Sequence, residues 1–285
     1  MNPALGALLL GATCIALSPI FVRLSEVGPT ATAFWRVALA VPVLWILYAL
    51  RAKGSSASYR GKWPLLFAAG FAFSGDLYFW HASIQLTSVA NSTLLANLSS
   101  IFVTLAAWVF LRQKPTWIFL AGLAASLAGV AMLVHTSLGF SPSAILGDAF
   151  GVVTAMFYAG YILSVKGLRD RGETTLYLMA VTSTITAVFL FPLAHATEIA
   201  MLPASVFGWG ILLGLAWITH AAGQGLIAYA LAHLPAAFSS VGLLLQPVVA
   251  AVLAWILLSE PLVALQIAGG VGVLIGIYLA RRGST

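Results

Sequence analysis

The sequence predicts an all-α integral membrane protein of ten transmembrane helices, arranged as two inverted repeats of five. Three observations predict it. Of 285 residues, 61% are hydrophobic and only 7% are charged, against roughly 25% charge in an ordinary soluble domain. The apolar residues gather into ten stretches, each near the ~20 residues that cross a hydrocarbon core as a helix. Patterns in the first five stretches recur in the second five; because five is odd, the second set must enter the membrane in the opposite sense.

The first five stretches run Leu5–Val22, Thr32–Leu50, Pro64–Ile84, Ala90–Phe110 and Trp117–Val134. The second five run Leu146–Val165, Leu176–Leu193, Val206–Ile227, Phe238–Leu257 and Leu262–Ala280. Turn chemistry separates them at Gly28-Pro29, Gly54-Ser55-Ser56, Lys114-Pro115, Ser141-Pro142-Ser143, Gly172, Pro203, Pro235 and Glu260-Pro261. The expected repeats are residues 1–136 and 144–285, with nothing left over for a soluble domain. The first stretch has no Lys or Arg before it and no clean small-residue cleavage site after it, so it reads as a retained helix rather than a signal peptide. Cys14, the only cysteine, lies inside that stretch, where no internal disulfide is possible and a small, buried, apolar role suits it.

The formal net charge of +6 does not point to nucleic acid, because of where the charges sit. Arg51, Lys53, Arg60 and Lys62 fall between the second and third stretches, and Arg112 and Lys114 follow the fourth. Lys166, Arg169 and Arg171 follow the sixth, and Arg281 and Arg282 come after the tenth. All of these share one side of the membrane; Arg23 alone belongs to the other, and Arg36 lies within a stretch. The positive-inside rule then places both termini in the cytoplasm. The expected location is a bacterial inner (plasma) membrane, crossed many times.

The halves can be compared directly. Ala107-Trp108-Val109-Phe110-Leu111 recurs as Ala254-Trp255-Ile256-Leu257-Leu258, and at the same offset Gly122 falls on Gly269 and Gly129 on Gly276. With a one-residue slip, Lys114-Pro115 meets Glu260-Pro261. Together with Arg23-Leu24-Ser25-Glu26-Val27-Gly28-Pro29 running into Ala33-Phe34-Trp35-Arg36, these motifs make the chain resemble the drug/metabolite transporter superfamily, specifically EamA-type carriers. The resemblance covers essentially the whole chain, and within the superfamily the chain is similar to YddG-type amino-acid exporters. What it implies is a basket whose central cavity is lined by spans one to four and six to nine, with spans five and ten outside.

Polar residues inside the spans are the candidate site. A charge at the bilayer centre costs about 2.5–3.5 kcal/mol on insertion scales, so each one calls for a reason. Asp76 lies about 12 residues into span three, roughly 18 Å along a helix and close to the middle. Trp80 follows on the same face, and His81 and Gln85 share a neighbouring one. Span eight, the counterpart of span three, carries Trp217, His220 and Gln224 at i, i+3 and i+7, with His220 at about the depth of Asp76. The plainer reading of these groups is a structural pair or a satisfied core histidine. Span four adds Thr93, Asn97, Ser100 and Thr104, span nine Ser239 and Gln246, and span six Thr154, Tyr158 and Tyr161. Such stripes also hydrogen-bond neighbouring helices, but three of them are more than packing requires. Tyr78, Trp80, Tyr158, Tyr161 and Trp217 would supply an aromatic lining.

Asp76, His81 and His220 are the possible proton-coupling groups, and Pro19 and Pro247 the hinge candidates. Arg36 could grip a substrate carboxylate, or pair with Glu26 or Asp148 to fix a helix end; its closeness to the interface favours the second reading. Asp148 reads as a cap at the start of span six.

The expected function is a secondary transporter that exports aromatic and other neutral amino acids, or related small metabolites, by alternating access through the central cavity. The alternative is efflux of amphipathic organic cations. A remote one is an intramembrane aspartyl protease built on Gly75-Asp76 and Gly147-Asp148, although neither pair has the preceding Gly of a Gly-x-Gly-Asp motif. No metal cluster, nucleotide loop or nucleophile elbow appears. The expected partners are a small-molecule substrate and the lipid bilayer, with no enzyme activity, cofactor or metal.

Overall fold

The computed structural model describes residues 2–51, 62–87, 89–134, 142–258 and 263–284. The expected breaks at Gly54-Ser55-Ser56, Ser141 and Glu260-Pro261, the basic residues Lys53 and Arg60, and the repeat limit at residue 136 lie outside them. All regular structure among the described residues is helical, in ten runs. The first is α1 (Pro3–Ala16) with α2 (Ser18–Leu24), and the second α3 (Pro29–Ala38) with α4 (Ala40–Arg51). The third is α5 (Trp63–Leu86), the fourth α6 (Val89–Ala96) with α7 (Ser99–Leu111), and the fifth α8 (Trp117–Val134). The sixth is α9 (Pro142–Asp170) and the seventh α10 (Thr175–Thr197). The eighth joins α11 (Val206–Gly214), a π-helical stretch (Leu215–Gln224) and α12 (Gly225–Ala230). The ninth is α13 (Ala236–Gly242) with α14 (Leu245–Leu258), and the tenth α15 (Ala264–Gly283).

Eight runs are long and apolar enough to cross a membrane by length and composition, and Trp117–Leu133 is a shorter apolar helix. The third run has the length, 24 residues, but Asp76, His81 and Gln85 make it less apolar. The sixth run, at 29 residues, outlasts its apolar stretch because the helix continues through Lys166 and Arg169, which can reach water beyond a hydrocarbon core. Exposed side chains such as Phe110, Trp117, Val188 and Val206 cover the outside with apolar surface, as a lipid environment requires.

Packing between the halves follows one exchange: first run with sixth, second with seventh, and so on. Helix α8 packs on α15, α3 and α4 pack on α10, and α7 packs on α13, so runs meet their own counterparts. The contact of α5 with α9 is repeated as that of the π-helical stretch and α12 with α1. The paired runs are antiparallel. Thr116 Oγ1, before α8, donates to Gly283 O at the end of α15 at 2.7 Å. Trp45 Nε1 donates to Thr184 Oγ1 at 3.1 Å, and Thr30 N to Glu198 Oε1 at 2.8 Å. The fold is therefore two five-run halves facing opposite ways.

One face of the bundle carries Lys62, Lys114, Lys166 and Arg282 and is called the basic face below; Glu26, Asp148 and Glu198 lie at the opposite face. There, Glu26 accepts hydrogen bonds from Ala204 N and Ser205 N, each 3.0 Å, and from Ser205 Oγ. The Ser205 hydroxyl, with the Ser205 and Ala204 amides, holds the Glu26 carboxyl below its ordinary value of 4.5. A lowered acid keeps its contact at every pH above the ordinary value and loses it only as pH falls through the lowered one.

The seam between α8 and α15 depends on glycine. A Cβ on Gly269 would sit 2.6 Å from Gly129 O and 2.9 Å from Met132 Cβ, inside any tolerable contact. Gly272, by contrast, has 3.6 Å to Gly129 Cα. Gly269→Val is therefore expected to lower stability by about 1–3 kcal/mol, read as a drop in Tm of the detergent-solubilised protein, while Gly272→Ala stays close to the parent.

Candidate functional site

Proline has no N–H and cannot continue an α-helix ladder. Upstream of Pro19, Pro42 and Pro247 the helices give way at Leu17, at Leu39 and between Gly242 and Leu245. The fourth run breaks at Asn97-Leu98 without a proline, at the position equivalent to the break in the ninth. Around these breaks lies a cavity of about 100 Å³. Its wall includes Ser18 and Pro19, Arg36, Asp76, Leu77 and Trp80, Thr93 and Asn97, Thr154 and Tyr158, Gln224, Ser240, Leu243, Gln246 and Pro247. These come from runs one to four, six, eight and nine, while α8 and α15 pair outside.

Arg36 is the cation of this cavity. It is 4% exposed, and its Nη1 donates to Ser18 Oγ at 3.1 Å across the break in the first run. Asp76 lies in the same wall. Among the described residues neither makes an ion pair. Arg36 Nε, Asn97 Nδ2, Thr154 Oγ1 and Gln224 Oε1 are buried without hydrogen-bond partners. Buried polar atoms are nearly always paired, so four orphans around one cavity leave both donors and acceptors for a polar solute or water.

The structure brings Asp76, Trp80, Asn97, Tyr158, Gln224 and Gln246 to the cavity and leaves the other expected residues off it. Tyr78 packs on Phe79. His81 is buried with Nδ1 2.7 Å from Leu77 O, on the side of α5 turned away from Asp76. Ser100 Oγ donates to Ser240 O at 3.1 Å, joining α7 to α13. Tyr161 and His220 pack instead on Phe73, whose ring stands 4.7 Å from the Tyr161 ring and 5.3 Å from that of His220. His220 Nε2 is 2.8 Å from Ser183 Oγ. These close-packed rings lie outside the cavity wall. Trp217 is 47% exposed and donates to Leu39 O at 3.3 Å on the outer surface. Its expected alignment with His220 and Gln224 assumed α-helical winding; the wider i→i+5 turn of the π-helical stretch rotates it off that stripe.

Two further expectations are corrected. Arg36 pairs with neither Glu26 nor Asp148, because it lies deeper than its sequence position implied. Asp148 does not start a helix: α9 begins at Pro142, and the Asp148 carboxylate instead accepts from Asn91 Nδ2. It lies outside the cavity that holds Asp76, so the two carboxylates of a protease are not assembled. The sequence signal for Arg36 was present: a charged residue in an apolar run, with Ser18-Pro19 supplying a polar group at a helix break. Among the described residues, no group of three or more His, Cys, Asp and Glu is placed to hold a metal ion.

The chain matches the model of the EamA-like transporter family twice, over residues 2–135 and 145–282. It belongs to that family. The EamA-like chain is 30% identical over 272 residues to an uncharacterized transporter of Archaeoglobus fulgidus, covering 91% of either protein. It is 27% identical over 284 residues to the pseudopaline exporter CntI of Pseudomonas aeruginosa, covering 97% of this chain and 94% of that one. To a probable terminal-alkyne amino-acid exporter of Streptantibioticus cattleyicolor it is 30% identical over 194 residues, covering 67% and 64%. A solved crystal structure superposes on 98% of the chain and 99% of its own with a TM-score of 0.83 at 17% identity, a likeness of fold. The EamA-like protein is thus a multi-pass membrane transporter of small molecules and not an enzyme.

Ser183→Ala removes the hydrogen-bond partner of the buried His220. An unpaired buried polar group costs about 1–3 kcal/mol. The variant is expected to melt at lower temperature in detergent, whereas Ser183→Thr, which restores a hydroxyl, recovers part of the loss.

Proposed function

We propose that this EamA-like transporter exports neutral amino acids or amino-acid derivatives by alternating access, with the cavity between its halves as the substrate site. One observation carries the reading: a buried guanidinium, Arg36, and a carboxylate, Asp76, share one small cavity without pairing to each other. An amino acid offers the complement of both, its carboxylate for Arg36 and its ammonium for Asp76. Asn97, Thr154 and Gln224 would take further polar groups of the solute, and Trp80 and Tyr158 its apolar part. The names of two relatives agree with this class, one a pseudopaline exporter and one a probable amino-acid exporter. The distribution of Lys and Arg supports an orientation with both termini in the cytoplasm of a bacterium. The division into repeats over residues 1–136 and 144–285 supports a rocking of one half against the other about the fixed site.

Efflux of organic cations is the second reading, favoured by Asp76 beside Trp80 and Tyr158. It leaves a buried arginine in the wall of a site for cations, where like charges repel. Counterflow in proteoliposomes separates the two. Labelled methionine, threonine and aromatic amino acids are expected to exchange, while the matching amines that lack a carboxylate are not. Arg36→Gln and Asp76→Asn should each raise KM at least about tenfold, as loss of a charged hydrogen bond does, with unchanged expression and melting. Exchange of the amines alone would replace the amino-acid reading with cation efflux.

A further inference from the structure

Each half carries a loop glutamate seated at the start of a helical run of the other half, and the two lie at opposite faces. Glu26, between the first and second runs, holds Ala204 N, Ser205 N and Ser205 Oγ; Ser205 is the N-cap of α11, which opens the eighth run. Glu173, between the sixth and seventh runs, is 2% exposed, and its Oε1 is 2.7 Å from Lys62 Nζ. Lys62 immediately precedes α5, the third run. The exchange that carries the first run onto the sixth and the third onto the eighth therefore carries one contact onto the other. We propose that Glu26 and Glu173 are the paired gate residues of transport, Glu26 closing the opposite face and Glu173 the basic face. This rests on the alternating-access reading above.

Helix capping does not account for these contacts. The start of α11 is already capped locally, since Ser205 Oγ accepts from Gly208 N at 3.0 Å. The glutamate adds a tie from the other half. Glu198 at the end of α10 adds a second tie at the same face by accepting from Thr30 N at 2.8 Å. In a fold of two inverted halves, exchanging the halves also exchanges the faces, so a contact that shuts one face has an equivalent that shuts the other. Both contacts are made here, and the cavity between them is about 100 Å³, below the roughly 300 Å³ at which ligand sites begin. A solute of amino-acid size needs one side to part.

The two gates differ in chemistry. At the opposite face an exposed carboxylate meets backbone N–H groups and a hydroxyl. At the basic face a desolvated ion pair must separate, and breaking it from one partner alone leaves a buried charge. The variants are chosen accordingly: Glu26→Gln with Glu198→Gln for one gate, and Glu173→Gln with Lys62→Met for the other, so that both members of the ion pair go together while Arg169, which donates to Glu173 O, stays in place.

The test uses the full-length protein with Cys14→Ser and one reporter, Ala96→Cys, in the cavity wall. A membrane-impermeant maleimide is added to one face at a time. The expected result is labelling about tenfold faster from the Glu26 face in the first double variant, and from the Glu173 face in the second. Changes on the same face in both, or in neither, would overturn the assignment. The parent protein separates the two levels of failure. A reporter labelled freely from both faces describes an open pore and overturns the carrier reading together with the gates. A parent closed to at least one face, with variants no different from it, overturns the gates alone.

Discussion

A guanidinium inside an apolar protein in an apolar solvent is the constraint around which the rest of the structure is arranged. Lipid offers Arg36 no hydrogen bonds, and an uncompensated charge at depth costs several kcal/mol. The fold answers with helix breaks. Backbone that departs from a helix within a membrane is tolerated only where it is walled off from lipid or faces a wet cavity. The interruptions at Leu17, Asn97-Leu98 and Gly242–Leu245 meet that condition by gathering at the space Arg36 faces. Ser18, freed from the interior of a regular helix by the break beside it, is the residue that receives Arg36 Nη1. The cavity and the breaks are thus one feature seen from two sides.

Symmetry divides the labour between scaffold and site. The α8–α15 seam is made of unbroken helices in close backbone contact, with Gly129 against Gly269 and Ser126 Oγ donating to Val273 O at 3.4 Å. It contributes nothing to the cavity wall. The site draws its polar groups unequally from the two halves: Arg36, Asp76 and Asn97 come from the first, Thr154, Tyr158, Gln224 and Gln246 from the second. Both charges sit in one half and neutral donors and acceptors in the other. Two related sequences can therefore keep a common packing plan while specialising the faces that meet across the cavity.

Much of this was legible in the sequence, for reasons that can be named. Helical runs in a membrane must be apolar for about 20 residues, so composition alone located them; it misjudged chiefly the sixth, where charged residues extend the helix. The 3.6-residue period placed Asp76 and Trp80 on one face, which lines the cavity, whereas His81, expected there as well, is turned off it. It failed at Trp217 because nothing in Leu215–Gln224 announces a π-helical turn, and a change of period moves every side chain beyond it. Depth was the other blind spot. Counting residues from a presumed interface put Arg36 near water, whereas tertiary packing carried it inward to 4% exposure. The pairing of Glu26 with Ser205 and of Glu173 with Lys62 joins residues more than a hundred positions apart and has no local signature at all.

The distribution of breaks also says where the bundle can deform at least cost. Rotating half of a broken helix changes dihedrals at a joint where the ladder slips to i→i−3 bonds, as at Leu17, Leu98 and Leu244, whereas bending α8 or α15 would sacrifice regular i→i−4 ones. Walls one, two, four and nine carry such joints; the seam carries none. On the proposed alternating-access reading, a cavity of about 100 Å³ would widen by swinging short segments such as α2 and α13 about Leu17 and Leu243 while the seam stays in register. Under that reading, hydrogen bonds from Asn97 Nδ2 and Gln224 Oε1 to a polar solute would favour closing the wall around it.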